Sequence, residues 1–336
     1  MRRFLMLLFL GVFLVVQLDG ADIQFSGLAQ AWFSYADQAK DDGKAYGFTV
    51  RRVRIYPHGL FSEKIKWGLR VGWDEQEASL LDVYLDFLVN RNFNIKLGQF
   101  APPAAISAGL TADGELDFIE RPVITLKWGD HSRLFSWRAL GLQVYGQLMA
   151  DKVQYAFMVA NPRALELFSP SIRFPEYEHP GSGLTFWGRL EIRPMAGLNF
   201  GAFFGTGTEK EVNNKKSSYG AHLFYVHRPL NLKLEYIAGE YGLEGQGTRY
   251  NGIYAIVGIK IKKSEYLVRY GFYTPNNGAP NRVGVKRFNN ITFGINYFYN
   301  QHIKFQTNYV IRRETMAEGI DQIENNVFYI NCQYSF

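Results

Sequence analysis

FNIKLGQFAPPAAISAGLTADGELDFIERP, residues 93–122, begins as a β-strand and then stops being one. Phe93, Ile95 and Leu97 fall on one face, Asn94, Lys96 and Gly98 on the other, the period of two that marks a strand with one apolar side. Pro102-Pro103 ends it, because proline gives a ladder no N–H. The next residues are acidic or small, and clean alternation does not resume until about Leu140. A long insertion among short-turned strands usually carries a function.

The alternation continues in both directions from this strand. Upstream it occupies residues 23–35, 48–61, 64–74 and 80–88. Downstream it occupies 140–149, 153–160, 184–193, 198–205, 219–227, 230–239, 253–261, 266–273, 291–299, 303–311 and 326–336. That is about sixteen strands, an even number as in single-chain bacterial outer-membrane barrels. In residues 80–88, Leu81, Val83, Leu85 and Phe87 are placed outward and Asp82, Tyr84 and Asp86 inward. Short connections near Ser62-Glu63, 90–92, Asp151-Lys152, 194–196, Arg228-Pro229, 262–264 and Asn300-Gln301 alternate with longer polar ones at 36–44, 162–183, 206–218, 240–250, 274–287 and 312–325. Short periplasmic turns and long outer loops show this asymmetry. A soluble sandwich would also alternate, but its outward faces would be polar, whereas here the larger, aromatic-rich face needs an apolar environment.

Composition agrees. Hydrophobic residues make up 47% and aromatics 16% of the chain, yet after the first residues they are dispersed at every second position instead of forming a helical span. The first residues read as a cleavable leader: basic Arg2-Arg3, an apolar run over 4–16, then small Gly20 and Ala21. That run is short of the ~20 residues a spanning helix needs. Cleavage near Gly20-Ala21 would remove Arg2, Arg3 and Asp19, taking the net charge from +6 to +5. With no linker or composition break, residues 22–336 are expected to form one barrel domain. The lone Cys332 excludes an internal disulfide framework. The expected fold is all-β, a transmembrane antiparallel β-barrel of about sixteen strands, with the long insertion folded into the mouth of a pore and setting its width. Phe328, Ile330, Cys332, Tyr334 and Phe336 share a face. This ending resembles the terminal signature by which assembly machinery recognises outer-membrane barrels, so Phe336 is expected to be read by it.

Arg51-Arg52, the run Asp82-Val-Tyr-Leu-Asp-Phe, Leu97-Gly98-Gln99-Phe100 and Phe118-Ile119-Glu120-Arg121 occur in one order, followed by Arg138 and Leu140-Gly141. Together they resemble the N-terminal half of the phosphate-selective porin O/P family, over roughly residues 51–144. The resemblance implies a sixteen-stranded homotrimeric porin whose third loop folds inward. One departure is plain: where the family commonly follows Gly-Gln-Phe with a Lys and a Pro-Phe pair, this chain has Ala101-Pro102-Pro103-Ala104.

Parity places Arg52, Arg54, Lys64, Lys66, Arg70, Lys96, Arg189, Arg193, Lys233, Lys260, Arg269, Lys304 and Arg312 inward, against Asp74, Asp82, Asp86, Glu191 and Glu235. A basic wall concentrates anions, so small anionic solutes such as phosphate are the expected cargo, with outer-membrane lipid outside and no nucleic-acid partner. Arg52, Arg54, Lys66, Arg70 and Lys96 are the expected carriers of a weak anion preference. Asp113, Glu115, Asp117, Glu120 and Arg121 form the expected constriction loop, its acids either facing the channel or pairing with the wall.

Other chemistry is poorly served. Gly205-Thr-Gly-Thr-Glu-Lys lacks the spacing and helix of a phosphate loop. Asp113-Gly-Glu-Leu-Asp has oxygens for Ca²⁺ but misses the twelve-residue pattern. The six histidines are dispersed, so no metal site, cofactor or catalytic residue is expected. The alternatives are a non-selective general porin, a barrel hydrolase built on His222 or His227 with Ser217-Ser218, or an adhesin with a closed lumen. Opposite parity of the two histidines argues against the hydrolase.

Overall fold

The computed structural model describes residues 22–38, 43–75, 77–131, 138–161, 183–209, 214–243, 248–275, 285–320 and 325–336. The leader expected at 1–21, with its cleavage point, and most of the loop at 162–183 lie outside the described residues. Sixteen strands form a closed antiparallel barrel, each paired to its neighbours in sequence and the last to the first. They are β1 Asp22–Gln38, β2 Gly43–Ser62, β3 Ile65–Asp74, β4 Glu77–Asn90, β5 Phe93–Phe100, β6 Ala139–Leu148, β7 Val153–Ala160, β8 Thr185–Met195, β9 Leu198–Glu209, β10 Asn214–His227, β11 Leu230–Leu243, β12 Thr248–Ile261, β13 Ser264–Thr274, β14 Val285–Phe298, β15 Ile303–Met316 and β16 Val327–Ser335. The helix Val123–His131 (α1) lies in the long insertion.

Closure is what lets such a sheet sit in lipid, since no edge is left with unpaired N–H and C=O groups. The seam is tight. Gly27 N–H donates to the Phe336 carbonyl at 2.9 Å and Phe336 N–H returns a bond to Gly27 at 3.1 Å. A Cβ on Gly27 would come 2.5 Å from the Phe336 ring, so the glycine makes room for it. Burial is inverted relative to a soluble protein: Phe157, Phe186, Val257 and Phe293 are exposed on the outside, while Gln30, Asn296, Gln306, Asn308 and Asn331 are buried inside. An apolar exterior and a polar interior are the requirements of a lipid-embedded barrel.

The wall departs from the sequence expectations in four places. Strands run further into segments expected as loops: β1 and β2 are separated only by residues 39–42, and β9 continues to Glu209. Beyond the lipid a ladder needs no apolar side chains, so polarity alone does not mark its end. Pro194, expected in the turn, stays in β8 at a register shift between Ile192 and Met195, where a missing N–H costs no ladder bond; the turn falls at Ala196-Gly197. Leu81, expected outward, sits at a bulge opposite Arg70-Val71 and lines the interior beside Gly72 and Arg54. Glu265 and Glu314 join the inward-facing acids and are buried there.

Candidate channel constriction

Residues 101–131 lie against the inward side chains of the wall, and strands β8 and β11 to β16 contribute bonds. The Glu235 carboxylate accepts from the N–H groups of Ile106 (2.7 Å) and Ser107 (3.1 Å). Asn308 accepts from Ile119 N–H at 2.7 Å. Loop carbonyls are taken by Arg189 at Ala104, Lys304 at Gly114, Asn296 at Asp117 and Arg269 at Glu120. Pro122 stands just before helix α1, and its carbonyl accepts from Thr125 and Leu126; proline ahead of a first turn loses no helical bond. It packs on β12, β13 and β14 through buried Val123, Ile124 and Trp128, and Trp128 Nε1–H donates to the Tyr250 hydroxyl at 2.9 Å. Gly252 leaves space for Ile124, which a Cβ there would meet at 2.6 Å.

The loop acids are largely committed. Asp113 accepts from Arg54 Nε (2.9 Å) and from Arg121 (2.8 Å). Glu120 pairs with Arg52 at 3.2 Å, and Asp117 with Lys233 at 2.7 Å and Asn231 at 2.8 Å. Glu115 is the exception and is exposed. Burial would raise the Asp113 pKa, yet the guanidiniums of Arg52, Arg54 and Arg121 hold its carboxyl well below the ordinary aspartate range. Arg121 goes the other way: burial pulls it below its ordinary value, partly offset by Asp113. Its guanidinium also donates to the carbonyls of Ser107, Ala108 and Thr111, so it ties the loop to itself.

On the opposite side the wall faces open space. Three cavities of about 510, 720 and 680 Å³ share lining residues in series. The first begins at Asn90 and Arg91 by a short turn and meets the second at Gln143, Gln154, Arg189 and Glu191. The second meets the third at Tyr56, Arg70 and Arg138 on the wall, facing Gly109, Thr111, Ala112 and Arg121 on the loop. The third reaches Asp74 and Ser79 beside the β3–β4 connection. This neck is the candidate constriction.

Its wall has a repeated motif: one carboxylate shared by two guanidiniums. Asp82 pairs with Arg70 at 3.2 Å and with Arg138, and Glu191 pairs with both Arg189 and Arg193. Arg70 lies 4.6 Å over the Tyr56 ring and Lys96 4.4 Å over Tyr84, while the two tyrosine hydroxyls meet at 2.6 Å.

The five basic residues expected to line the channel therefore divide. Arg70 and Lys96 line the open space; Lys96 pairs with Asp86 at 3.5 Å. Arg52 and Arg54 border the third cavity but are buried against loop acids and Asp74. Lys66 is exposed near the short-turn end of β3. Arg138 is not among the inward charges that parity selects, since it precedes β6, but its place directly after the insertion is a usable signal. The acidic run Asp113 to Asp117 does not converge on an ion: its two aspartates pair with opposite parts of the wall. Among the described residues no cluster of His, Cys, Asp or Glu could hold a metal.

A closed sixteen-stranded barrel, with a polar interior, an apolar exterior and a loop narrowing a continuous lumen, defines an outer-membrane porin. A sequence model described as "Phosphate-selective porin O and P" matches residues 25–336, and the chain belongs to that family. No curated protein matches it. Similar solved structures include the anion-selective porin from Comamonas acidovorans (TM-score 0.67, 11% identity, covering 94% of this chain and all of that one). OprB of Pseudomonas putida aligns with TM-score 0.68 and 10% identity over 97% of each chain. A loop-deletion mutant of OmpT, an outer-membrane protein of Vibrio cholerae, aligns with TM-score 0.67 and 13% identity over 95% of this chain and all of that one. At these identities they establish the shared fold. The protein is a porin of the bacterial outer membrane, a channel for small solutes.

Proposed function

We propose that the channel passes small anions with a weak preference over cations. The observation that carries this is the charge around the neck. The open wall of the second cavity carries Arg70, Lys96, Arg138, Arg189 and Arg193 against Asp82 and Glu191. A positive excess in a low-dielectric conduit raises the local anion concentration. Arg70, Lys96 and Arg138 carry the preference, while Arg52 and Arg54 act as loop anchors. Glu115, Asp113, Asp117, Glu120 and Arg121 shape the constriction, four of them through pairing. Sharp phosphate specificity would need closely set donors around the ion at the narrowest point, and Ala101-Pro102-Pro103-Ala104 brings none. One similar structure, an in-vitro folded OmpT, is a trimer form, which supports a homotrimer here, as does the broad apolar exterior. Residues 22–336 act as one domain after removal of the leader, with Phe336 read during assembly. No catalytic role is assigned: His222 bonds to Asn199 at 3.0 Å and the Ser218 hydroxyl donates to the Ala238 carbonyl, so of the candidate hydrolase set these two do not bond to each other. Reversal potentials in planar bilayers under a KCl gradient test the anion preference; a cation-selective wild type defeats it. Cross-linking in mild detergent tests the trimer, which a purely monomeric result defeats.

A further inference from the structure

We infer that the neck favours small organic carboxylates with a compact apolar body over inorganic anions, which rests on the anion-channel reading above and names its solute class. The two faces of the neck are chemically unlike. The wall face presents Arg70 and Arg138, which share the Asp82 carboxylate, with Lys96 beside them. Residues 101–112 on the loop face carry no charged side chain. Their two hydroxyls are already used: Ser107 Oγ meets Thr125 Oγ1 at 2.6 Å, and Thr111 Oγ1 donates to the Ile106 carbonyl at 2.7 Å. Arg121 borders the neck from the same side, but it is buried and its guanidinium is engaged by the carbonyls of Ser107, Ala108 and Thr111 and by the Asp113 carboxylate; what this face offers a solute is apolar. Ile106, Leu110 and Ala112 line the cavity, and Leu110 is 40% exposed.

An inorganic anion stripped of water needs donors around it, and here it would find them on one side only. A carboxylate head against Arg70 and Arg138 satisfies the charge, while an attached apolar body covers Leu110 and Ala112 and leaves no polar group stranded. Such a two-faced neck binds the solute by its two ends; a neck with donors on both faces would grip the charge alone.

The test is block of the chloride current through single channels by benzoate, acetate and phosphate, alongside the KCl reversal potential. Benzoate should half-block at a concentration about tenfold below acetate, the factor that burying some tens of Å² of apolar surface supplies, and phosphate should be no better than acetate. Replacing Leu110→Ser together with Ala112→Ser should remove the benzoate advantage. Arg70→Gln should weaken block by all three anions and move the reversal potential; heat-modifiable gel mobility verifies that each variant has folded. Equal block by benzoate and acetate, stronger block by phosphate, or an unchanged benzoate advantage in the double variant would overturn the inference while leaving the anion channel standing. A cation-selective wild type would instead remove the reading beneath it.

Discussion

The side of the lumen covered by the loop and the side left open use the same residue types to opposite ends. Behind the loop, charges are balanced: Asp117 meets Lys233, and Arg51, Arg52, Arg54 and Arg121 meet Asp74, Glu75, Asp113 and Glu120. On the open side one carboxylate serves two guanidiniums, at Asp82 and again at Glu191. The first arrangement fixes a position and the second leaves a field. A count of inward charges cannot distinguish them, because the same arginine is an anchor or a selectivity residue according to how many acids it meets.

The largest expected effect comes from breaking the anchored side. Asp113→Asn would leave the buried guanidiniums of Arg54 and Arg121 without their shared carboxylate, a loss of about 3–5 kcal/mol for a buried pair broken from one side. Because the loop can yield while the barrel holds, this should be read as noisy, enlarged single-channel conductance more than as a collapse of heat-resistant gel mobility. Quiet, unchanged conductance would mean the clamp does not hold the loop.

Acid should reach the same contact in a stated order. The folded-state pKa of Asp113 is depressed, so its contribution is complete above the ordinary value near 3.9 for an unfolded aspartate. It is lost as pH falls below that value toward the lower folded-state pKa. Channel noise should therefore stay low through the usual carboxylate range and rise only in stronger acid. Noise rising already above that range would assign the clamp to another group.

On the open side, Arg70→Gln with Arg138→Gln should move the reversal potential toward cations without loosening the loop. The shift should be clear at low salt and fade toward 1 M, where the screening length falls to about 3 Å. The matching change on the covered side, Arg52→Gln, should shift selectivity less and noise more. Lys66→Gln should do least: exposed near a short turn, it should change stability by within about 0.5 kcal/mol and selectivity scarcely at all.

The barrel is legible in the chain because period-two alternation is a local property. Leu184, Phe186 and Leu190 are outward and Trp187 and Glu191 inward, as their parity requires. Parity fails at Leu81, where a bulge inserts one extra residue, and nothing local marks a bulge that tertiary packing selects. Strand ends are misjudged at β9 and β10 because polar residues can extend a ladder above the lipid. Within the insertion the acids are visible but their partners are not. Asp117 meets Lys233, and Asp113 meets Arg54, contacts that exist only once the barrel closes. Helix α1 escapes sequence reading for a related reason: its nine residues owe their order to β12, β13 and β14, not to a strong amphipathic pattern of their own.

The central claim is that the open wall, and not the acidic loop, sets the sign of selectivity. Its most direct test is the reversal potential of the wild-type channel in a low-salt KCl gradient, set beside that of a Glu115→Gln variant, which removes the exposed acid of the run Asp113 to Glu120. A weakly anion-selective wild type, made only slightly more so by Glu115→Gln, is the expected result. A cation-selective wild type that turns anion-selective in the variant would show that the loop governs the pore, and would contradict the claim.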